Sequence, residues 1–198
     1  MAKIITIAHQ KGDVGKSTLA INLALCFQDQ LSVAVADTDH QGSLYHLKDE
    51  LPGVIIIGAN HFKDLHELDY DLVIVDTPPY LSDQLPELFR RSDFILVPTK
   101  AGFFDVMAIR STLALIHQVK GNAAIVLNMV KPRTSLTKDV IQLLAEMQTP
   151  LLKTVIHNRV SITRSTLTAG ILNGNDPKAK AEIMALAEEV VNYIIIEN

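Results

Sequence analysis

Cysteine occurs once among the 198 residues, at Cys26, and tryptophan not at all. One thiol per chain excludes an internal disulfide, a CxxC zinc site and a thiolate cluster cage built within the chain, and it suits a reducing cytoplasm. Aromatic residues make up only 5% of the sequence, too few for a platform on which single-stranded bases stack. Long apolar runs are also missing. The opening Met-Ala-Lys-Ile-Ile-Thr-Ile-Ala is apolar for a few residues and then enters a glycine-containing loop, so it reads as neither signal peptide nor membrane span. No repeat or linker interrupts the chain, and its length suits one α/β domain over residues 1–198.

Neither sign of charge dominates, but the net −4 is unevenly distributed. Residues 1–130 sum to −5. In residues 131–180, Lys131, Arg133, Lys138, Lys153, Arg159, Arg164, Lys178 and Lys180 face Asp139, Glu146 and Asp176, giving +5. A local basic surface attracts phosphate backbones even on an acidic protein; a run of solvated charges is the plainer alternative.

Short Val/Ile/Leu runs alternate with longer helical stretches, the pattern of a mostly parallel sheet of about seven strands covered by helices on both faces. Strands are predicted near 3–8, 33–37, 54–57, 72–76, 94–98, 123–128 and 152–156. Helices are predicted near 16–28, 82–91, 104–119, 135–147 and 178–195, with a further short one within 158–170. The closing Tyr193-Ile194-Ile195-Ile196 lacks the basic face of an amphipathic anchor and is expected to pack on the core.

The first predicted strand runs into Lys11-Gly12-Asp13-Val14-Gly15-Lys16-Ser17-Thr18 and then into the apolar helix that starts at Leu19. A strand, a glycine loop and a helix N-terminus in this order form a phosphate cradle, with loop amides and helix dipole converging on the anion. Lys16 is placed to bridge the β- and γ-phosphates of ATP, and Ser17 to ligate Mg²⁺. Gln10 stands where the ordinary G-x-x-x-x-G-K-[ST] pattern asks for glycine.

Three other strand ends carry polar residues. Asp71-Leu72-Val73-Ile74-Val75-Asp76-Thr77-Pro78-Pro79 ends a buried strand in Asp76, the Walker B arrangement, which holds a magnesium-bound water. Asp37-Thr38-Asp39-His40-Gln41-Gly42-Ser43 follows another buried strand and sets two carboxylates at the edge where phosphates bind. Asn128 closes a late strand, as a base contact or as a turn residue.

Taken together, Lys11 through Thr18, Asp37 through Ser43 and Asp76 through Pro79 resemble the ParA/MinD group of deviant Walker A ATPases, most closely the small ParA-type partition ATPases. The resemblance covers nearly the whole chain. Two positions depart from the family pattern: Asp13 stands where the K-G-G-x-G-K-[ST] motif has its second glycine, and His40 replaces the usual proline.

The resemblance implies a three-layer P-loop fold and ATP/ADP with Mg²⁺ as cofactors. Lys11 would be the signature lysine that reaches a partner's phosphates in an ATP-bound homodimer. Asp39 would position the attacking water, Asp37 would support magnesium and loop geometry, and Asn128 would bond adenine. The dimer would bind nonspecific double-stranded DNA through Arg159 and Arg164, with Lys131, Arg133, Lys178 and Lys180 as helpers. A ParB-like centromere-binding or cargo-adaptor protein would stimulate slow hydrolysis. Cytoplasmic, nucleoid-associated protein in the ATP state is the matching localisation. Because the phosphate loop starts by residue 11, the N-terminal helix-turn-helix of larger partition ATPases is not expected, nor is operator-specific repression.

Alternatives from other classes are a hydrolysis-impaired, nucleotide-locked scaffold, motivated by Asp13; a MinD-like membrane-positioning ATPase; and a small-molecule P-loop ligase such as dethiobiotin synthetase. The nitrogenase iron-protein branch fails, since one cysteine cannot supply two cluster ligands per subunit.

Overall fold

β-branched and leucine-rich runs of four to eight residues form the strands of one sheet, whose inner members are buried on both faces while its two edge strands, Ile55–Gly58 and Leu151–His157, are partly exposed. The computed structural model describes residues 1–39, 44–49, 51, 53–58, 64–80, 82–131, 138–165 and 170–195. In chain order these contain β1 (Lys3–Ile7), α1 (Lys16–Phe27), β2 (Val33–Asp37), β3 (Ile55–Gly58), β4 (Leu72–Asp76), α2 (Leu85–Arg91) and β5 (Phe94–Thr99). They continue with α3 (Phe103–Ala108), α4 (Arg110–Gln118), β6 (Ala123–Val130), α5 (Lys138–Glu146), β7 (Leu151–His157), α6 (Val160–Arg164) and α7 (Pro177–Ile195). The seven strands are all parallel, in the order β3-β2-β4-β1-β5-β6-β7.

Alternation along each strand divides the apolar residues between two cores. Ile5 and Ile7 of β1 and Ile74 of β4 join the core closed by Leu19 and Leu23 of α1 and by Ile183, Leu186 and Val190 of α7. Ile4, Val73 and Val75 join the other, closed by Phe89 of α2, Leu113 and Ile116 of α4, and Leu144 of α5. Helix α1 is buried from Leu19 through Leu25, so it is a core helix, and its one polar member in that stretch, Asn22, is fully bonded. Asn22 Nδ2 donates to the Thr18 carbonyl and to Ser165 Oγ, and its Oδ1 accepts from the Ile171 amide.

Strand order sets the position of the site. β1 lies between β4 and β5, and the register pairs Ile7 with Asp76 and Asp37 with Asp76. The carboxyl ends of β1, β2 and β4 therefore stand side by side where the sheet changes direction, the position at which open α/β sheets take ligands.

The predicted strands appear with shifts of a residue or two, and the helices depart in places. The helix expected over 104–119 is two helices, α3 and α4, meeting at Ile109. At that joint Gln10 Nε2 donates to the Ala108 carbonyl at 2.8 Å, and a side chain entering the helical ladder is a known cause of such breaks. The helix expected from 82 starts at Leu85, and the short helix within 158–170 is Val160–Arg164. Near the tail, Tyr193 packs on Phe94 with ring centroids 5.1 Å apart, as expected for core packing, while Ile195 is exposed.

The outer edge of β7 is covered by carboxylates of α7. Glu189 accepts from the Lys153 and Thr154 amides at 2.9 and 2.8 Å, and Glu182 accepts from the His157 amide at 3.0 Å. Among the described residues, no helix is long and apolar enough to cross a membrane.

Candidate functional site

The turn from β1 into α1 depends on glycine at one position above all. Gly15 caps α1 with φ +85°, and a Cβ there would lie 2.5 Å from Asn128 Nδ2. Side-chain capping is absent at this helix start, so its amides stay directed at the loop that precedes it. Asp13 also has left-handed backbone, φ 57°, the conformation that the glycine of the resembled motif adopts freely and aspartate tolerates better than most residues. Its side chain is exposed, yet its charge is felt by Lys16.

Lys16 is 7% exposed. Burial pulls its pKa down, and Asp76, Asp39 and Asp13 oppose that pull. Its ammonium lies 3.5 Å from the Lys11 carbonyl, a loose contact for a buried charge. Beside it, Ser17 Oγ donates to Asp76 Oδ2 at 2.6 Å. Asp76 is 3% exposed, and its Oδ1 is buried without a hydrogen-bond partner among the described residues. Burial pushes its pKa up to about 7; the Ser17 hydrogen bond and Lys16 resist, and the neighbouring Asp37 and Asp39 reinforce the rise. A buried carboxylate with an orphaned oxygen, touching a serine hydroxyl and crowded by like charge, fits a divalent cation. Mg²⁺ takes one or two protein ligands together with phosphates, and Ser17 and Asp76 would supply the protein ligands.

The neighbouring residues brace this pair. Thr38 donates through its amide and its hydroxyl to the Asp76 carbonyl at 3.1 and 2.7 Å, and Thr77 Oγ1 donates to the Ile7 carbonyl at 2.9 Å. Asp37 accepts the Asp39 amide on Oδ1 and the Leu44 and Tyr45 amides on Oδ2. Both its oxygens thus shape the loop after β2, which is the loop half of the role expected for it. Asp39 is half-buried close enough to act on Lys16 and Asp76. His40 through Ser43 lie outside the described residues.

Asn128 sits under the phosphate loop. Its Nδ2 donates to the Val14 carbonyl at 2.8 Å and its Oδ1 accepts the Met129 amide at 2.9 Å. The same residue lines a cavity of about 190 Å³ together with Gly15, Thr18, Met129, His157 and Arg159. Sequence showed Asn128 as a candidate base contact; the structure adds that it supports the loop backbone.

The expected DNA residues separate. Arg159 is held by Glu182, Nη2 to Oε1 at 2.7 Å, and Glu182 also accepts His157 Nδ1 at 2.9 Å. Arg159 also lines the cavity beside the phosphate loop and is half-buried. Arg164, Lys131 and Lys178 are exposed, and Lys180 is half-buried. Arg133 lies outside the described residues. Lys11 is paired with Asp105 at 2.5 Å, and its amide donates to His9 Nδ1 at 2.7 Å. Sequence reasoning missed Asp105, His9 and Glu182. The first and last lie far along the chain from the residues they hold, and His9 is a lone histidine after a strand.

A glycine loop feeding a core helix, a buried lysine, and a serine–aspartate pair at the switch point of a parallel sheet define a P-loop nucleotide-binding α/β protein. Residues 5–169 match the CobQ/CobB/MinD/ParA nucleotide binding domain, and the chain belongs to that family. It is similar to maintenance of carboxysome distribution protein A of Halothiobacillus neapolitanus, 27% identical over 94% of this chain and 95% of that protein. The chromosome-partitioning ATPase Soj of Thermus thermophilus is 26% identical, with 94% of each chain covered. Among solved structures, MinD of Pyrococcus horikoshii complexed with Mg-ADP superposes with a TM-score of 0.76 at 20% identity, covering 100% of this chain and 99% of that one. An ATP complex of a Cyanothece McdA variant gives 0.75 at 17% identity, with 96% of each chain covered. Both share the fold.

Proposed function

We propose that this ParA/MinD-family ATPase is a nucleotide-switched positioning protein. With ATP and Mg²⁺ it pairs with a second copy and binds DNA without sequence preference, and a ParB-like or cargo-adaptor partner resets it by stimulating slow hydrolysis. The observation that carries the nucleotide part is the 2.6 Å Ser17–Asp76 contact beside buried Lys16, with Asp76 Oδ1 unpartnered among the described residues.

Lys16 and the amides at the start of α1 hold the phosphates, while Ser17 and Asp76 hold the cation. Bound Mg²⁺ supplies charge neutralisation at the transferring phosphoryl group. Asp39 orients the attacking water, Asp37 keeps the loop bearing Asp39 in shape, and Lys11 serves the partner's phosphates. The adenine occupies the cavity bordered by Asn128. Two relatives alike over 94% of the chain are named for carboxysome distribution and chromosome partitioning, which supports positioning as the task. Exposed Phe103 and Phe104, on the helix that holds Lys11, support a protein contact at that rim. Exposed Lys131, Arg164 and Lys178 support the DNA contact, and with it a nucleoid-associated ATP state in the cytoplasm.

Gel shifts on random-sequence DNA with ATP, ADP and no nucleotide test the switch, repeated with Lys16→Ala. Retardation confined to ATP and lost in the variant is expected; binding indifferent to nucleotide overturns the proposal. Asp13 favours a second reading, a nucleotide-locked scaffold, because its carboxylate bears on Lys16. Appreciable ATP turnover stimulated by DNA and partner rejects it.

A further inference from the structure

We propose that Asp105 is a positioning residue for Lys11: within one chain it holds the signature lysine in cis, and that lysine has to leave it before it can serve a partner's phosphates. The inference rests on the ATP-dependent pairing proposed above.

Lys11 and Asp105 lie 94 positions apart, so their contact is made by the fold and not by neighbouring sequence. Lys11 Nζ donates to Asp105 Oδ1 at 2.5 Å, with the two side chains 47% and 20% exposed. Two other bonds fix the geometry around the pair. Gln10 Nε2 donates to the Ala108 carbonyl at the far end of α3, and the Lys11 amide donates to His9 Nδ1. The first bond ties the loop to the C-terminal end of α3 and the second holds the backbone at Lys11 within the loop, so Lys11 is delivered to one carboxylate rather than left to sample solvent.

Gly102 provides an independent handle on the same contact. Its backbone, φ −86° and ψ 146°, suits any L residue, so conformation does not demand glycine there. A Cβ at 102 would instead stand 2.6 Å from Asp105 Oδ2. The second oxygen of the carboxylate lies against the bare Cα of Gly102, so a methyl group there displaces it, and the oxygen bonded to Lys11, in the same rigid group, has to turn with it.

The strength of the contact suits a bias and not a lock. An exposed ion pair shifts an equilibrium by about two- to fivefold. Two such pairs open when two copies exchange lysines, so the penalty on pairing is about four- to 25-fold. A triphosphate with its cation presents far more charge than one carboxylate and overcomes a bias of this size, whereas chance encounters without it do not.

The test titrates full-length protein with a non-hydrolysable ATP analogue and Mg²⁺ and follows the dimer by light scattering. Asp105→Asn and Gly102→Ala are expected to pair at about four- to 25-fold lower protein concentration than the parent. Asp105→Glu keeps the parent value, and unfolding midpoints of all three stay close to it. Adding Lys11→Ala erases the difference between the parent and Asp105→Asn. Pairing unchanged or weakened in Asp105→Asn, or Asp105→Glu behaving like Asp105→Asn, overturns the inference.

If the parent fails to pair at any analogue concentration, the pairing proposal falls, and the cis contact is read separately from the acylation rate of each lysine, measured by mass spectrometry. An ammonium bonded to a carboxylate acylates slowly. A severalfold rise at Lys11 in Asp105→Asn and Gly102→Ala, with Lys178 as internal reference, sustains the contact, and an unchanged rate removes it.

Discussion

Ser17 of α1 and Asp76 of β4 meet 59 positions apart in sequence, hydroxyl to carboxylate at 2.6 Å, and the second oxygen of Asp76 is buried with no partner among the described residues. That arrangement predicts a pH dependence of stability. Asp76 titrates near 7 when folded and near its ordinary 3.8 when unfolded, so the folded chain holds the extra proton and stability from this group falls as pH rises from about 4 to 7. His9 runs the other way. Burial, then Lys16 and Lys11, lower its pKa from 6.5 to about 4, so its contribution is full above 6.5 and is lost as pH falls through 4. The two slopes cancel between 4 and 6.5. Urea unfolding at stepped pH should show Asp76→Asn unmasking a rise across that window, and His9→Asn unmasking a fall that continues to about 7. Each limb is on the order of 3 kcal/mol.

Gly15 and Asn128 are predicted to be energetically coupled. Gly15→Ala imposes a left-handed alanine and drives its methyl into Asn128 Nδ2, so we expect a loss of about 1–3 kcal/mol together with nucleotide binding. Asn128→Ala leaves the Val14 carbonyl without its donor, at about 1–3 kcal/mol. Because the second change removes the atom that the first collides with, the double variant should lose less than the sum by about 1 kcal/mol. Denaturation of the four proteins checks this, and strict additivity would falsify the collision.

Asp13→Gly is expected to leave stability within about 1 kcal/mol, since relief of the left-handed aspartate is offset by greater freedom of the unfolded glycine. Nucleotide affinity should rise by about tenfold at low salt and by less at high salt, as a carboxylate acting on Lys16 is removed. Calorimetric titration with ATP at two salt concentrations measures it. An affinity that does not change at either would mean that this side chain faces away from the phosphates.

Arg159 gives a prediction opposite to that of a bare basic-residue count. Held by Glu182, it should lower stability by about 1 kcal/mol on change to Ala while leaving the salt slope of DNA binding unmoved. Arg164→Ala and Lys178→Ala should each reduce that slope by about 0.9, the value for one phosphate contact. A drop in slope with Arg159→Ala would place its guanidinium on DNA.

Legibility in the sequence followed locality. Seven apolar runs bounded by turns became seven strands; in the inner five, burial on both faces leaves a continuous pattern, while the edge strands β3 and β7 keep exposed positions. Lys16, Ser17 and Asp76 were legible as members of short motifs at strand ends. What the sequence could not show were relations across the chain. Gln10 signalled departure from the common loop, but not that it reaches α3, where one predicted helix becomes two. That Arg159 is paired with Glu182 was not legible, because Glu182, 23 positions on, gives no sign in one dimension that it faces back toward β7. Asp37 read as supporting both magnesium and loop geometry, and only three-dimensional placement of the Leu44 and Tyr45 amides shows how it engages the loop.

The carboxylates that α7 lays along β7 bear on how copies of this chain can be joined. Glu189 and Glu182 occupy amides that another strand would otherwise claim, so the sheet is terminated on that side by its own helix. Growth by adding strand to strand, the route to tangled fibres, is closed there. The nucleotide-dependent pairing proposed above therefore has to use some other surface of the chain than this edge, and it need not compete with strand addition there.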